Sequence, residues 1–437
     1  MRLLKKFCVP IVGLLMPLAM SSVVRADAVT DWNAIAVQTI VNAGPTHGSA
    51  VGFLDNATVQ VAVYDAVEAI TGRFRPYHVH IPGASSGSPA AAVAKAAHDV
   101  LVKRFPLQTA SLDATYHAYL TAHGLAETDP GVAVGAQAAA GIIALRANDG
   151  SFPTNPPPFT GGTDPGVWRP TPSYLPGPPP SFSPMLAPWL ASVTPFTLKS
   201  PSQFRPVAPP ALTSQRYATA YNEVKALGAA DPHSTRTTEQ TDLAKFWNSN
   251  FLVLWNRALR DIVGLHVPDI SDSARLFALA DLAMGDAGIT AWDSKFHFVF
   301  WRPLTAIQEG DNDANPETAG DPNWQPMINT PNYPDYTSGA NNVTGAITHV
   351  LALFFGTDEM TFTVTTTNAT APQQTRTYNR FSDAAEDVVN VRIYQGIHFR
   401  FADVQARKQG RHVAQWVFSH FLRSVDDDDH DDHDDED

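Results

Sequence analysis

Three short stretches near the C-terminus carry basic and hydrogen-bonding side chains that suit an oxyanion, beginning with Lys295-Phe-His-Phe-Val-Phe-Trp-Arg302-Pro303. On a continuous helix, Lys295 and Arg302 lie close to two turns apart, so both would project from one face among aromatic residues. Pro303 predicts a break or kink nearby. Two cations on an apolar face need an anion, unless both side chains extend to solvent.

The second stretch is Pro334-Asp-Tyr-Thr-Ser-Gly-Ala-Asn341, which precedes a helical run beginning near Val343. A Ser-Gly turn at a helix start offers the Ser338 hydroxyl and free backbone N–H groups such as that of Gly339, which are suitable donors for an oxyanion. The alternative is a plain helix cap made by Asn341.

The third stretch is Arg392-Ile-Tyr-Gln-Gly-Ile-His-Phe-Arg-Phe-Ala-Asp403. Gly396 can interrupt a helix between Arg392 and His398. Asp403 is near enough in sequence to bond one imidazole nitrogen and leave the other free to ligate or attack. For His398 alone, a structural histidine is the alternative.

Together the three stretches predict one oxyanion site. Phosphate and vanadate carry two or three negative charges and many acceptor oxygens, which charge-assisted bonds from planar arginines match well. The candidate groups are Lys295, Arg302, Ser338, the Gly339 N–H, Arg392 and His398.

The pattern Lys-x6-Arg-Pro, Ser-Gly, Arg-x5-His resembles the vanadium-dependent haloperoxidase and type 2 phosphatidic acid phosphatase superfamily, in particular its secreted bacterial branch. The resemblance is strongest over about residues 270–425. Asp31-Trp-Asn-Ala, Ala62-Val-Tyr-Asp-Ala-Val and Gly166-Val-Trp-Arg-Pro are also similar to that branch. It implies an all-α helical bundle with the anion site between helices.

The resemblance also implies residue roles. His398 would be the apical vanadium ligand, or in a phosphatase the nucleophile that accepts the phosphoryl group. The implied cofactor is vanadate, with phosphate in the alternative, and the implied reactants are hydrogen peroxide and halide, or a small phosphoester. The groups that would hold the anion oxygens are Lys295, Arg302, Ser338, Gly339 and Arg392.

The sequence departs from the family pattern at two places. The family continues Ser-Gly-His, where the histidine is the acid–base group, but here Ala340 follows Gly339, and losing such a group costs a factor of about 10² to 10⁴. His297 is the candidate substitute, although two helical residues turn it about 200° away from Lys295. Asp403 lies one residue further from His398 than the phosphatase-like pattern has it, so a backbone carbonyl is the alternative partner for that histidine.

Helical periodicity dominates the chain and predicts a mostly α protein. A Thr-rich alternating run at 361–367 and a partner at 374–378 predict one small peripheral β-hairpin. Residues 151–210 hold about half of the 35 prolines but also several aromatic residues, which predicts an extended strap across helices that walls a cleft, with an interdomain linker as the alternative. These aromatic residues include Trp168, Tyr174, Phe182, Trp189, Phe196 and Phe204. The predicted helices are 59–70, 90–102, 134–146, 239–259, 274–291, 343–355 and 404–422.

The ends of the chain predict processing and a solvated tail. Residues 1–28 have the basic, apolar and small-residue parts of a secretory signal, so we expect a secreted or periplasmic protein. Its removal takes Cys8, the only cysteine, and leaves a single domain over 29–425 whose anion-site half is 270–425. The acidic run at 426–437 is expected to be disordered.

Composition excludes several classes of function. The chain has 437 residues, 44% hydrophobic and 17% charged, which is typical of a globular protein. The net charge of −13 lies mostly in the acidic tail, and no basic stripe indicates nucleic-acid binding. After signal removal no second long apolar run predicts a membrane span. A homodimer is compatible with the sequence but not specified by it.

Three hypotheses follow for the function. The leading one is an exported vanadate-dependent haloperoxidase-like enzyme. The second is an acid phosphatase that works through phosphorylated His398, and the third is a catalytically impaired oxyanion-binding protein, which Ala340 favours.

Overall fold

The computed structural model describes residues 27–48, 50–172 and 182–428. Within these ranges the chain is mostly helical, with one two-stranded sheet. The predicted all-α bundle with a small hairpin is therefore confirmed. The elements are α1 Ala28–Asn42, α2 Gly52–Thr71, α3 Pro89–Arg104, α4 Thr109–Ala122, α5 Pro130–Leu145, α6 Gln215–Leu227, α7 Thr238–Phe246, α8 Phe251–His266, α9 Ile270–Phe298, α10 Pro303–Gln308, α11 Gly339–Phe355, β1 Glu359–Thr365, β2 Thr375–Arg380, α12 Phe381–Tyr394 and α13 Arg400–His420.

The long helix α9 is the buried axis of the bundle. Asp269 caps its N-terminus by accepting bonds from the N–H groups of Ser271 and Asp272. Nearly every residue from Leu276 to Lys295 is buried, so this helix is covered on all sides, with α2, α11 and α13 among its neighbours. Ala and Gly recur along it, and these small side chains let the surrounding helices approach closely.

Helices α11 and α13 touch through their backbones at two glycines. A Cβ added to Gly410 would lie 2.0 Å from the carbonyl oxygen of Asn342, and one added to Gly345 would lie 2.5 Å from that of Arg407. Only glycine permits this spacing. This contact sets the distance between the two helices. It therefore also sets the distance between Ser338, at the start of α11, and His398, just before α13.

The proline-rich strap, residues 151–172 and 182–210 of the described chain, packs on α9 as predicted. The backbone N–H groups of Phe196 and Thr197 donate to the buried carboxylate of Asp286 at 2.7 and 2.8 Å. The N–H of Trp168 donates to the carbonyl of Val299 at 2.7 Å, and its ring is wholly buried. The strap is thus fixed to the bundle by its backbone and its aromatic side chains.

The predicted hairpin is confirmed as β1 and β2, which pair antiparallel. One helix prediction was wrong. The single helix expected over 239–259 is two helices, α7 and α8, because Asn250 leaves helical geometry and caps α8 by accepting from the N–H of Leu252. The apolar period runs through the break, so periodicity alone could not reveal it.

Most of the predicted signal segment lies outside the described residues, as do 429–437 of the acidic tail. Asp27, at the end of that segment, caps α1 through a reciprocal bond with Thr30. Among the described residues we find no helix that is both long and apolar enough to span a bilayer.

The glycine contact gives a stability prediction. Gly410→Ala should destabilise the protein by about 1–3 kcal/mol because the new methyl group collides with backbone atoms of α11. The matched control is Gly288→Ala in α9, where a Cβ meets no atom within 4 Å and the better helix former should add up to about 1 kcal/mol. Urea unfolding measures both, and equal effects of the two variants would contradict the contact.

Candidate functional site

Lys295 and Arg302 are buried side by side, but they do not share a helix face as predicted. Helix α9 ends at Phe298, and Val299 adopts a left-handed conformation (φ +46°) that turns the chain. Arg302 is the N-cap residue of α10, in line with the break expected at Pro303. The turn, rather than helical periodicity, brings the two cations together.

Backbone carbonyls hold these two cations in place. Lys295 Nζ donates to the oxygens of Pro334 and Asp335 at 2.8 and 3.1 Å. Arg302 Nε donates to the oxygen of Tyr333 at 2.7 Å, and Nη1 to that of Ile397 at 2.6 Å. The Tyr333 ring lies 4.9 Å from Lys295 Nζ and 4.8 Å from Arg302 Cζ, within cation–π range of both.

Ser338 and Gly339 open helix α11 beside these cations. Ser338 is the N-cap residue, and its Oγ accepts from Asn341 Nδ2 at 3.3 Å. Asn341 lies inside the first turn and donates to Asp403 Oδ1 at 2.8 Å, so the alternative in which Asn341 is the cap is wrong. The backbone N–H groups of this first turn have no intrahelical acceptor and face the site as donors.

Arg392 and His398 lie on the two sides of a corner between α12 and α13. The predicted interruption at Gly396 is confirmed: α12 ends at Tyr394, and Gly396 has a φ of +78°. A Cβ on Gly396 would lie 2.3 Å from the carbonyl oxygen of Gly228, so two glycine backbones meet there. Arg392 Nη1 donates to Gln395 Oε1 at 2.7 Å.

His398 pairs with a residue that the sequence analysis did not assign. Its Nδ1 lies 2.7 Å from Asp335 Oδ1, and both side chains are buried. Asp403, the carboxylate considered from the sequence, is therefore not the partner, whereas the backbone of Asp335 also bonds this histidine. Asp335 stood inside the second stretch, but local spacing carries no signal for a contact across 63 residues.

Burial and neighbouring charges fix the protonation of this pair. Burial, with Arg302, Lys295 and Arg392 nearby, lowers the pKa of His398 well below its usual value, so the imidazole is neutral. With Nδ1–H donated to ionised Asp335, the Nε2 lone pair is available, and Arg302 Nη1 lies 3.1 Å from it. Burial also raises the pKa of Asp335 to about 7, although Arg302 and Lys295 act in the opposite direction.

The structure brings together six of the seven predicted site residues. The exception is His297, which is exposed and turned away from the cluster, as its position two residues after Lys295 predicts. Ala340 lies at the cluster and lines a cavity of about 420 Å³. Gly339, Arg392, Trp292 and Tyr333 line the same cavity, so solvent reaches the site from this side.

The residues present fit a bound oxyanion. Arg302 Nη2 and Arg392 Nε are buried and have no hydrogen-bond partner in the described part of the chain. Leaving charged donors buried and unbonded is costly, so these atoms indicate a missing acceptor. Vanadate or phosphate would accept from them and from the first turn of α11, and His398 Nε2 would be the nitrogen that binds it.

Comparison with known proteins agrees with this geometry. A family model described as the VCPO second helical-bundle domain matches residues 275–427, which include all of the site residues. The vanadium chloroperoxidase of Curvularia inaequalis is 39% identical over 95 residues. That match spans 20% of this chain and 15% of the relative, so it supports a shared C-terminal region and not the whole protein.

The fold is shared over a greater length. A structure described as the first bacterial vanadium-dependent iodoperoxidase superposes with a TM-score of 0.75 at 24% identity, covering 91% of this chain and 97% of that one. A holo-type bacterial vanadium-dependent chloroperoxidase gives a TM-score of 0.71 at 18% identity, covering 90% and 97%. The C-terminal region of this chain is therefore similar to the VCPO second helical-bundle domain, and nearly the whole chain has the same fold as these bacterial haloperoxidase structures.

Proposed function

We propose that this protein is a vanadate-dependent haloperoxidase that oxidises halide with hydrogen peroxide. The observation that carries the proposal is the buried basic cluster around Nε2 of His398, in which Arg302 Nη2 and Arg392 Nε have no hydrogen-bond partner in the described chain. The names of the relatives, chloroperoxidase and iodoperoxidase, support the same reaction.

The chain's own residues would hold, orient and charge-balance the vanadate. Lys295, Arg302 and Arg392 place three positive charges against its oxygens, and Ser338 and the Gly339 N–H add neutral donors. Asp335 fixes the ring of His398 so that Nε2 faces the anion. When bound, vanadate polarises the peroxide and lets its oxygen pass to halide without a change in the metal's oxidation state.

The reaction needs a proton, and we assign its delivery to Tyr333. Hydrogen peroxide, halide and one proton give hypohalous acid and water. Ala340 cannot supply that proton, and His297 is exposed away from the cluster. Tyr333 lines the cavity beside Ala340, carries a hydroxyl, and has its ring against Lys295 and Arg302. Its phenol is therefore the acid–base group that we assign to the open side of the site.

One observation favours acid phosphatase activity as a second candidate. A histidine nucleophile is strengthened when a carboxylate accepts its other ring proton, and Asp335 does this for His398 at 2.7 Å. Phosphate makes the same demands on the buried donors. The third candidate function is an anion-binding protein with weak turnover, because Ala340 cannot transfer a proton.

We also propose that the protein is exported, that residues 29–425 form a single domain and that two copies form a homodimer. Since α1 begins at Ala28 and is capped by Asp27, we move the cleavage point from the predicted end at residue 28 to a position after Ala26, which would keep that cap. Secreted and periplasmic locations both agree with such cleavage, and mass spectrometry of the mature N-terminus tests it.

His398→Ala should abolish orthovanadate binding, because the nitrogen ligand is lost, while His297→Ala should bind as the wild type does. Calorimetric titration measures the affinity. The same samples are then assayed for peroxide-dependent bromination or iodination of a dye and for hydrolysis of a phosphate ester.

Binding with halogenation supports the haloperoxidase, and hydrolysis without halogenation transfers the assignment to a phosphatase. Binding without either turnover leaves an anion-binding protein. Unchanged affinity in His398→Ala would refute the site.

Asp335→Asn should remove a pH dependence of vanadate affinity. Below the Asp335 pKa of about 7, the protonated carboxyl donates to Nδ1 of His398, the ring proton moves to Nε2, and Nε2 can no longer bind vanadate. Wild-type affinity for vanadate should therefore fall as the pH is lowered from 7.5 to 5.5. Asparagine still accepts from Nδ1–H but does not titrate, so its affinity should stay flat. The measurement is vanadate affinity against pH at micromolar vanadate. If the wild type and Asp335→Asn showed the same pH dependence, Asp335 would not be the residue that positions His398.

Tyr333→Phe should lower halogenation turnover by about 10²-fold or more with vanadate affinity unchanged, since the ring stays and the hydroxyl is lost. Ala340→His should raise turnover and should rescue Tyr333→Phe, because it restores a proton donor. Steady-state kinetics with bromide and with iodide measure both. A Tyr333→Phe enzyme with wild-type turnover would exclude the phenol as the donor.

A further inference from the structure

Three neighbouring cavities lie in a row from the active site to a basic surface, and residues of the strap line each of them. The active-site cavity shares Gly48, Ala50 and Leu186 with a second cavity of about 390 Å³. The second shares His47 and Phe152 with a third cavity, of about 360 Å³. Shared lining residues show that these cavities lie next to one another, and the second and third cavities are together named the strap groove.

The middle of the strap groove is a wall of flat apolar surfaces. The rings of His47 and Phe152 stack with centroids 4.6 Å apart, and Phe152 lies 5.0 Å from Trp189. Pro45, Pro153 and Pro156 complete this wall. Such surfaces bind planar apolar molecules by contact area and ring stacking.

Phe152 in this wall has an unfavourable backbone conformation. Its φ is +51°, a left-handed conformation that is unfavourable for a bulky residue by about 1–3 kcal/mol. That conformation places the ring between His47 and Trp189, with Arg104 Cζ 4.8 Å from its centroid. Strained residues of this kind cluster at ligand-binding sites.

The outer end of the strap groove is positively charged. Lys103, Arg104 and Arg146 line it, and no carboxylate is among its described lining residues. Asp55 pairs with Arg104, and Asp149 pairs with Arg146. Lys103 is exposed without an ion pair in the described chain, and Arg146 Nε is buried without a hydrogen-bond partner. This end therefore retains positive charge in an acidic protein.

We propose that the strap groove binds an aromatic organic acid, the acceptor that the oxidised halide halogenates. The acid group lies at Lys103 and Arg146, and the apolar body lies on Phe152 and Trp189, directed toward the active-site cavity. Hypohalous acid then replaces one ring hydrogen by halogen: a C–H bond breaks, a C–halogen bond forms, and the hydrogen leaves with hydroxide as water. The acceptor role rests on the proposed haloperoxidase activity, whereas binding does not.

The first test measures binding to the full chain without vanadate. The probes are 3-(4-hydroxyphenyl)propanoate and its neutral methyl ester, compared by calorimetry. The wild type should bind the acid about threefold or more tightly than the ester, as expected for one partly exposed charge pair. Lys103→Ala should remove that preference, while Lys408→Ala, an exposed lysine on α13 that lines none of these cavities, should keep it.

Phe152→Gly tests the apolar wall. Glycine accepts the left-handed backbone without strain, so the variant should fold while binding both probes more weakly. Equal wild-type affinities for acid and ester would overturn the proposal, and so would equal effects of Lys103→Ala and Lys408→Ala.

The second test separates the acceptor from the halide. Lys103→Ala should lower kcat/KM for bromination of the acid about threefold and leave triiodide formation, which needs no organic acceptor, unchanged. An equal fall in triiodide formation would mean that the basic end guides halide, which would overturn the proposal. Acid binding in a protein that neither binds vanadate nor oxidises iodide would refute the haloperoxidase and support the groove.

Discussion

Three basic side chains buried in one place constrain the rest of this structure. Burial lowers the pKa of Lys295, Arg302 and Arg392, because a charge away from water is costly unless bonds replace its hydration. Asp335 and Asp403 supply the buried carboxylates, and the backbone oxygens of residues 333–335 and 397 accept from Lys295 and Arg302. An oxyanion completes this set, because it brings negative charge and acceptors to the donors that the protein leaves unbonded.

The helices meet that constraint by converging from distant parts of the sequence. Helix α9 brings Lys295, the start of α10 brings Arg302, the start of α11 brings Ser338, and the corner between α12 and α13 brings Arg392 and His398. Backbone contacts at glycines set the spacing of α11 and α13 and of the α12–α13 corner, and the strap packs over α9. The site is rigid because its surroundings are close-packed.

The sequence predicted what is local and missed what is tertiary. The residues predicted to bind an oxyanion lie in three short stretches of sequence. The helix break at Gly396 was also predictable, because a left-handed backbone conformation favours glycine. The same information could not pair His398 with Asp335, which lies 63 residues away, nor place Arg302 after a turn at Val299, a residue without turn character. The strap was recognised as a cleft wall from its aromatics. The path of the groove beneath it depends on side chains of α3 and α5, whose positions only the fold defines.

The contact of Gly228 with Gly396 has a consequence for the lifetime of the protein. It joins the end of α6 to the corner that carries Arg392 and His398, so the same backbone atoms that shape the site also connect two parts of the bundle. Whatever binds the folded site and not the unfolded chain stabilises the fold by an amount that rises with the logarithm of its free concentration above the dissociation constant. An anion held at this corner would therefore slow the loss of folded chain as well as complete the site.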